Sequence, residues 1–242
     1  MKQKSLRVLS VGALALGLIG PLALPAAAAP PPPGYPTQQI MTTANNPSLG
    51  SIPIRRGFYD SAARQGFGFD KAWNKHNIWS GEAMRRVMLS TNYFMQGNGN
   101  YALKAYAGKY TCQGNRCRLT DQRQLIGVHN GRSYDRYFNQ RVGGLMGMQT
   151  LYCNQGGAER CPNWVTYAIT NPGTPNPYNS PAMEPSNNTE NLPSPAEESA
   201  LAREKAQEPE STEVLNAIAS GETELNFSYT PLPEEIPNPN RP

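Results

Sequence analysis

The 242-residue sequence contains only two histidines, His76 and His129, and only four cysteines. It has no GxSxG motif of serine hydrolases, no phosphate-binding P-loop and no GxGxxG dinucleotide-binding fingerprint. The cysteines also lack the CxxC spacing and the neighbouring histidines that are typical of a structural zinc site. We therefore predict no metal and no cofactor.

No long apolar run follows the first thirty residues, so we predict that the mature chain does not span a membrane. Residues 1–29 join a positively charged start (MKQKSLR) to the apolar run VLSVGALALGLIGPLAL and the small residues PAAAA. This pattern is typical of a bacterial secretory signal peptide, with cleavage expected near Ala27 to Ala29. The protein is therefore predicted to be secreted.

The four cysteines are an even set, and in a secreted protein such a set predicts disulfides. Three pairings are possible. The short separations favour Cys112–Cys117, which closes CQGNRC, and Cys153–Cys161, which closes CNQGGAERC.

Composition divides the mature chain into three segments. Residues 30–50 are rich in proline and read as a flexible leader. Residues 51–172 contain all three tryptophans and all four cysteines, enough for a single core. Residues 173–242 are rich in proline and glutamate, which predicts a largely disordered acidic tail with short helices starting near Ser194 and Ser211.

The formal charge of +4 hides a strong asymmetry. Residues 31–172 contain 16 Lys and Arg and 6 Asp and Glu, a difference of +10. Residues 173–242 contain 3 and 12, a difference of −9. A basic domain with an acidic tail suggests a surface that binds RNA or another polyanion. The tail either shields this surface by an intramolecular contact or only keeps the basic domain soluble.

Patterning within the core predicts an α+β domain, with helices flanking an antiparallel meander of about four strands. A hairpin is expected around the turn between Cys112 and Cys117. Arg85 to Thr91 has the composition of a strand, although Ala83 to Leu89 can also prolong a helix. The remaining expected elements are a helix at residues 70–76, a strand at residues 145–153 and a helix after Pro162.

The segment QGFGFDKAWNKHNIW, residues 65–79, places His76 between two tryptophans. On a helix, His76 shares one side with Trp73 and Trp79. One interpretation is a histidine packed between these rings and bonded to a backbone carbonyl. The other is a reactive group, favoured by the adjacent lysines and the basic domain.

Residues 66–78, GFGFDKAWNKHNI, resemble the G-F-G-x-x-(H/K)-I-x-x-K-H-G helix of secreted bacterial ribonuclease toxins of the barnase, EndoU, colicin and RelE group. The sequence departs from this pattern at Ala72 and Asn77. The resemblance implies a helix ahead of a four-stranded meander and RNA cleavage without a metal. Matched by position, it implies three catalytic candidates: Lys71, Lys75 and His76.

RNA cleavage without a metal needs groups that transfer protons and fixed positive charge near the phosphate. His129, expected at a strand end, is either a second proton-transfer group or an exposed turn residue. The predicted substrate-binding residues are Arg85, Arg86, Arg132, Tyr134, Arg136 and Tyr137, of which the last four can instead form an ordinary solvated loop. The alternative function is a non-catalytic secreted module that binds an anionic cell-wall polymer or a protein.

Overall fold

The computed structural model describes residues 30–171 and 195–241. The predicted signal peptide, residues 1–29, and the first part of the predicted tail, residues 173–194, lie outside the described residues, as does Pro172 at the end of the predicted core. Within the two described ranges, no helix is long and apolar enough to cross a membrane.

The described ranges form a mixed structure of helices and antiparallel sheets, which agrees with the predicted class. The five helices are α1 (Gly68–His76), α2 (Gly81–Met88), α3 (Asn163–Thr170), α4 (Pro195–Ala206) and α5 (Pro209–Ala219). The strands are β1 (Ile40–Asn46), β2 (Gly50–Arg55), β3 (Phe58–Asp60), β4 (Gln65–Phe67), β5 (Tyr93–Gly97), β6 (Asn100–Gln113), β7 (Arg116–Tyr137), β8 (Gln140–Asn154), β9 (Ala158–Glu159), β10 (Thr223–Ser228) and β11 (Glu235–Pro237).

The meander β6–β7–β8 forms the centre of the main sheet. In the described part of the chain this sheet has seven strands, in the order β10-β6-β7-β8-β9, with β5 also paired to β6 and β11 to β7. Cys112 lies opposite Cys117 at the turn of the predicted hairpin. Both predicted disulfides, Cys112–Cys117 and Cys153–Cys161, are present.

The core lies between the sheet and the helices α1, α2 and α3. On β6 the side chains of Leu103, Ala105 and Ala107 alternate toward this core, as the period of two in a strand requires. Gly127 on β7 makes room for α2, because a Cβ atom there would lie 2.2 Å from Met88 Cε. This close approach fixes the helices against the sheet.

The strand suggested for Arg85 to Thr91 is wrong, and the alternative of a helix through this segment is correct up to Met88. Ser80 caps α2, because its Oγ accepts a hydrogen bond from the backbone N of Ala83 at 3.3 Å. Within the helix, the Glu82 carboxylate binds the guanidinium groups three and four residues later. These local contacts favour a helix more strongly than the β-branched and apolar residues of this segment favour a strand.

The predicted flexible leader of residues 30–50 is ordered where it is described. Met41 and Ala44 of β1 are buried in the core, and β1 pairs with β2. Farther upstream, the Tyr35 hydroxyl donates to Asp70 Oδ2 at 2.6 Å, so the leader is attached to the first turn of α1. The leader's prolines lie before β1 and, at Pro47, in the turn after it, so they do not prevent β1 from pairing.

The predicted boundary between core and tail also needs correction, because residues 195–241 contain α4, α5, β10 and β11. β10 pairs with β6 from Thr223 opposite Thr111 to Ser228 opposite Tyr106. Phe227 is buried in the core. The nearby prolines, such as Pro231 and Pro233, lie in the connection after β10, so a proline-rich composition is compatible with a strand here.

Candidate functional site

The glycines of the GFG motif let the chain fold tightly around the start of α1. Gly66 has φ 149° and Gly68 has φ 77°, in the region that favours glycine. A Cβ on Gly66 would lie 2.2 Å from the Phe58 carbonyl oxygen, and one on Gly68 would lie 2.5 Å from the Arg55 carbonyl oxygen. The motif therefore positions α1 against its own hairpin β3–β4 and the end of β2.

His76 is the last residue of α1, and only 2% of its surface is exposed. Its Nδ1 lies 3.1 Å from the backbone oxygen of Glu159 on β9, and its ring centroid lies 5.5 Å from that of Tyr152. Burial lowers the pKa of His76 to about 4, and the positive charges of Lys75, Lys71 and Arg160 act in the same direction. His76 is therefore neutral at pH 7.

Three cations surround this neutral histidine, and we call Lys71, Lys75 and Arg160 the basic cluster. Lys71 and Lys75 are half-buried on α1, whereas Arg160 is exposed. Burial lowers the pKa of Lys71 to about 8, and the charge of Lys75 contributes to this shift. Within the described residues none of the three forms an ion pair with a carboxylate. The cluster is therefore suited to binding an anion from solution.

Asn77 connects Arg160 to α1. It ends the helix in the left-handed conformation, with φ 62°, and its side chain is buried. Its Oδ1 accepts a hydrogen bond from Arg160 at 3.1 Å, and its Nδ2 donates to the Cys161 carbonyl at 2.9 Å and to Asn163 Oδ1 at 2.6 Å. Asparagine is well suited to this position, because it tolerates the left-handed region and carries both a donor and an acceptor.

The second histidine is buried elsewhere in the sheet, not exposed in a turn. His129 lies on β7 with 3% of its surface exposed, and its ring stacks on Tyr101 at 5.7 Å. Its Nδ1 has no hydrogen-bond partner among the described residues, and burial lowers its pKa. His129 pairs with Met148 on β8. Tyr152, the residue of β8 that contacts His76, lies about 13 Å farther along the same strand. The structure does not join the two histidines in one site.

Arg85 and Arg86, two of the predicted substrate-binding residues, make their ion pairs within α2. Both guanidinium groups bind the carboxylate of Glu82, at 2.7 and 2.8 Å. Arg86 Nη1 also donates to the Ile169 carbonyl of α3 at 2.6 Å. Their charges are therefore satisfied within the domain.

The other predicted substrate-binding residues lie on the last part of β7. Tyr134, Arg136 and Tyr137 are near the β7–β8 turn, whereas Arg132 lies beside the β5–β6 turn. Tyr134 and Tyr137 are half-buried against a small apolar cluster that includes Phe67, whose ring lies 6.0 Å from that of Tyr137. Arg132 and Arg136 are exposed. Because Phe67 immediately precedes α1, the β7–β8 turn lies near the start of the helix, whereas His76 lies at its end.

Two contributors to the site were not among the predicted residues, namely Tyr152 and Arg160. Arg160 immediately precedes Cys161, so the disulfide to Cys153 indicates that it lies near the end of β8. No sequence signal shows that α1 reaches the same place. In the described ranges, no three His, Cys, Asp or Glu side chains converge as metal ligands.

Comparison with protein-family models, with curated proteins and with solved structures found no match.

Proposed function

We propose that the protein binds RNA at the basic cluster and cleaves it without a metal ion, with the Lys71 amine as the proton acceptor. One observation carries the proposal: the charges of Lys71, Lys75 and Arg160 all act on His76, none of the three pairs with a carboxylate among the described residues, and burial lowers the pKa of Lys71 to about 8. The resemblance of residues 66–78 to a ribonuclease-toxin helix supports the same chemistry.

The charge of the cluster fits a phosphodiester. Three cations held close together repel one another in the free protein, and an anion relieves this repulsion. Arginine offers a planar pair of N–H donors to phosphate, and lysine offers a compact charge. The surrounding segment, residues 31–172, has an excess of ten positive charges, which attracts a polyanion from a distance.

The proposed reaction is attack of a ribose 2′-oxygen on the adjacent phosphorus. The 2′-hydroxyl gives its proton to the neutral amine of Lys71, the new P–O2′ bond forms and the P–O5′ bond breaks. The departing 5′-oxygen takes a proton from the Lys75 ammonium. The products are a 2′,3′-cyclic phosphate and a 5′-hydroxyl end, and Arg160 stabilises the charge that develops on the phosphate oxygens.

Lys71 suits the role of base better than His76. A group with a pKa near 8 is partly deprotonated at neutral pH and is still a good proton acceptor. His76 has a pKa of about 4, so it is a weak base, and its Nδ1 is bonded to a backbone carbonyl. We therefore assign His76 to holding the end of α1 in place.

The test uses the full mature chain with its disulfides intact, single-stranded RNA and EDTA. Wild-type protein should cleave the RNA. Lys71→Arg should bind RNA normally but lose cleavage, because arginine keeps the charge and does not deprotonate near neutral pH. Lys109→Arg makes the same change on β6 and should leave the rate unchanged. Intact RNA after long incubation with the wild-type protein would exclude the nuclease.

The second candidate is non-catalytic binding of an anionic cell-wall polymer through the same cluster. The burial of His76 and its bond to the Glu159 carbonyl favour this function, because a packed histidine needs no catalytic explanation. Under this alternative, Lys71→Ala weakens binding to the anionic polymer and Lys71→Arg preserves it. Neither the wild type nor any variant cleaves RNA.

A further inference from the structure

β5 lies at an edge of the main sheet and is exposed along its whole length. It pairs with β6 on one side, and no other strand of the described chain pairs with it. All five of its residues are exposed, including Phe94 at 45% and Met95 at 66%. Large apolar side chains are rarely exposed together on a soluble protein unless they form a contact surface.

The side chains of β5 extend the sheet on both of its faces. Tyr93 and Met95 lie opposite Leu103 and Tyr101 of β6, and the Tyr93 ring makes an edge contact with Tyr101 at 6.0 Å. Phe94 lies opposite Ala102, on the other face, where the Lys104 ammonium sits 4.9 Å from its ring centroid. We call Tyr93, Phe94, Met95, Tyr101 and Lys104 the β5 surface.

The segment that contains β5 and the first part of β6 carries charge of only one sign. Residues 91–107 contain Lys104 and no acidic residue. Arg132 lies beside the β5–β6 turn, because a Cβ on Gly99 would lie 2.9 Å from its Cγ. Neither cation forms an ion pair within the described residues. Aromatic rings with unpaired cations fit the bases and phosphates of single-stranded nucleic acid.

Exposed cations connect this surface with the basic cluster. Arg132 and Arg136 lie on the end of β7 that leads from the β5–β6 turn to the β7–β8 turn. The latter turn packs on Phe67 at the start of α1, the helix that carries Lys71. Across the sheet, β5 lies three strand spacings, about 14 Å, from β8, the strand on which α1 packs.

We propose that the β5 surface binds the bases of a single-stranded RNA segment that extends from the basic cluster, with Phe94 as a stacking ring. This inference rests on the proposed function, since the same RNA must occupy the basic cluster. It adds a second contact that selects single-stranded over duplex RNA, because bases in a duplex are not free to stack on a protein ring.

The experiment measures the binding of the full mature chain to fluorescein-labelled RNA by anisotropy. The RNA carries 2′-O-methyl groups, so that it cannot be cleaved, and has a length of about 12 or about 3 nucleotides. Phe94→Ala should raise the Kd for the longer RNA about fivefold or more and leave the Kd for the shorter RNA unchanged. Phe94→Leu should have the same effect, because leucine keeps apolar area but has no ring. Ile40→Ala, at an exposed apolar position on β1, should change neither affinity.

The alternative outcomes separate this inference from the proposed function. If the wild-type protein binds neither RNA, the proposed function is contradicted. If it binds the longer RNA and Phe94→Ala binds it equally well, the β5 surface is not an RNA contact. Weakening by Phe94→Ala but not by Phe94→Leu would indicate a plain apolar contact. A wild-type dimer that Phe94→Ala converts to a monomer would show that a second copy of the chain occupies this edge.

Discussion

The Nδ1 atom of His76 lies 3.1 Å from the backbone carbonyl oxygen of Glu159. A carbonyl oxygen only accepts, so Nδ1 carries the proton of the neutral ring. The contact joins the end of α1 to the disulfide-closed segment between Cys153 and Cys161. The same segment carries Arg160, so this hydrogen bond helps to keep the lysines of α1 and the arginine together.

We expect His76→Ala to destabilise the fold by about 2–3 kcal/mol, because it leaves a cavity beside Tyr152 and removes a hydrogen bond. Thermal unfolding should show a melting temperature lower by about 5–10 °C. Lys75→Ala, at a half-buried position, is the control and should change stability by less than about 0.5 kcal/mol. An unchanged melting temperature together with lost RNA cleavage would identify His76 as a catalytic group instead.

The pKa of His76 predicts how stability depends on pH. It is lowered to about 4 by burial, whereas an unfolded histidine has a pKa of about 6.5. The unfolded chain therefore binds the proton first, and stability falls as the pH drops from about 6.5 to about 4, by up to about 3 kcal/mol. Urea unfolding at several pH values should show this fall in the wild type.

The matched comparison is His76→Gln. It should show a smaller fall over the same range, because His129, whose pKa is also lowered by burial, still contributes. An identical pH dependence in the two proteins would mean that His76 titrates normally in the folded state.

The rate of RNA cleavage should depend on the protonation of Lys71. Because its pKa is lowered to about 8, half of the Lys71 amine is neutral near that pH, so the rate should rise through pH 8 and level off above it. Lys75→Ala removes the proposed proton donor, so it should lower the rate at every pH. It also removes the positive charge beside Lys71, so the midpoint of the remaining activity should shift to higher pH. A rate that does not rise as the pH passes through about 8 would contradict Lys71 as the base.

Local sequence signals predicted the elements whose structure depends on near neighbours. The hairpin around Cys112 and Cys117 follows from strand composition on both sides of a short turn. The helix α3 follows from Pro162 and an apolar face. The strand β10 was missed because its stability comes from pairing with β6, more than a hundred residues earlier, and no local pattern records that contact.

The candidate site was only partly accessible to sequence reasoning, for the same reason. A helical projection places Lys71 and Lys75 one turn apart, so two members of the basic cluster follow from the sequence. Arg160 joins them only because the chain returns along β8 and is closed by a disulfide. The environment of His76 also depends on Glu159, 83 residues away, so its lowered pKa does not follow from its own segment.

The two disulfides should differ in their effect on the basic cluster. Cys153→Ser with Cys161→Ser frees the segment that holds Arg160, so it should weaken RNA binding as well as lower stability. Cys112→Ser with Cys117→Ser opens a hairpin turn and should lower stability by a similar amount, about 2 kcal/mol, without weakening RNA binding. Anisotropy and urea unfolding of the two double variants distinguish these outcomes. Equal losses of affinity in the two double variants would show that the position of Arg160 does not depend on the Cys153–Cys161 disulfide.

Glu208, in the acidic segment after α4, acts on Arg160 of the basic cluster through its charge. Glu208 Oε1 accepts a hydrogen bond from Lys205 Nζ at 2.6 Å, and Oε2 accepts one from Asn163 Nδ2. Burial acts to raise the pKa of Glu208, but these bonds and the charge of Arg160 hold it below its usual value. Its negative charge therefore reduces the attraction of Arg160 for an incoming phosphate.

We expect Glu208→Gln to tighten RNA binding about twofold at low salt, because it removes this charge and keeps an oxygen that can accept from Asn163. The gain should vanish near 1 M salt, where the Debye length is about 3 Å. Glu213→Gln makes the same change on α5, where the side chain lines a cavity with Lys109 and Thr111, and should have no effect. A point variant is required because deleting residues 173–242 would remove β10 from the sheet. Equal affinities of the wild type and Glu208→Gln at low salt would show that this carboxylate does not shield the basic cluster.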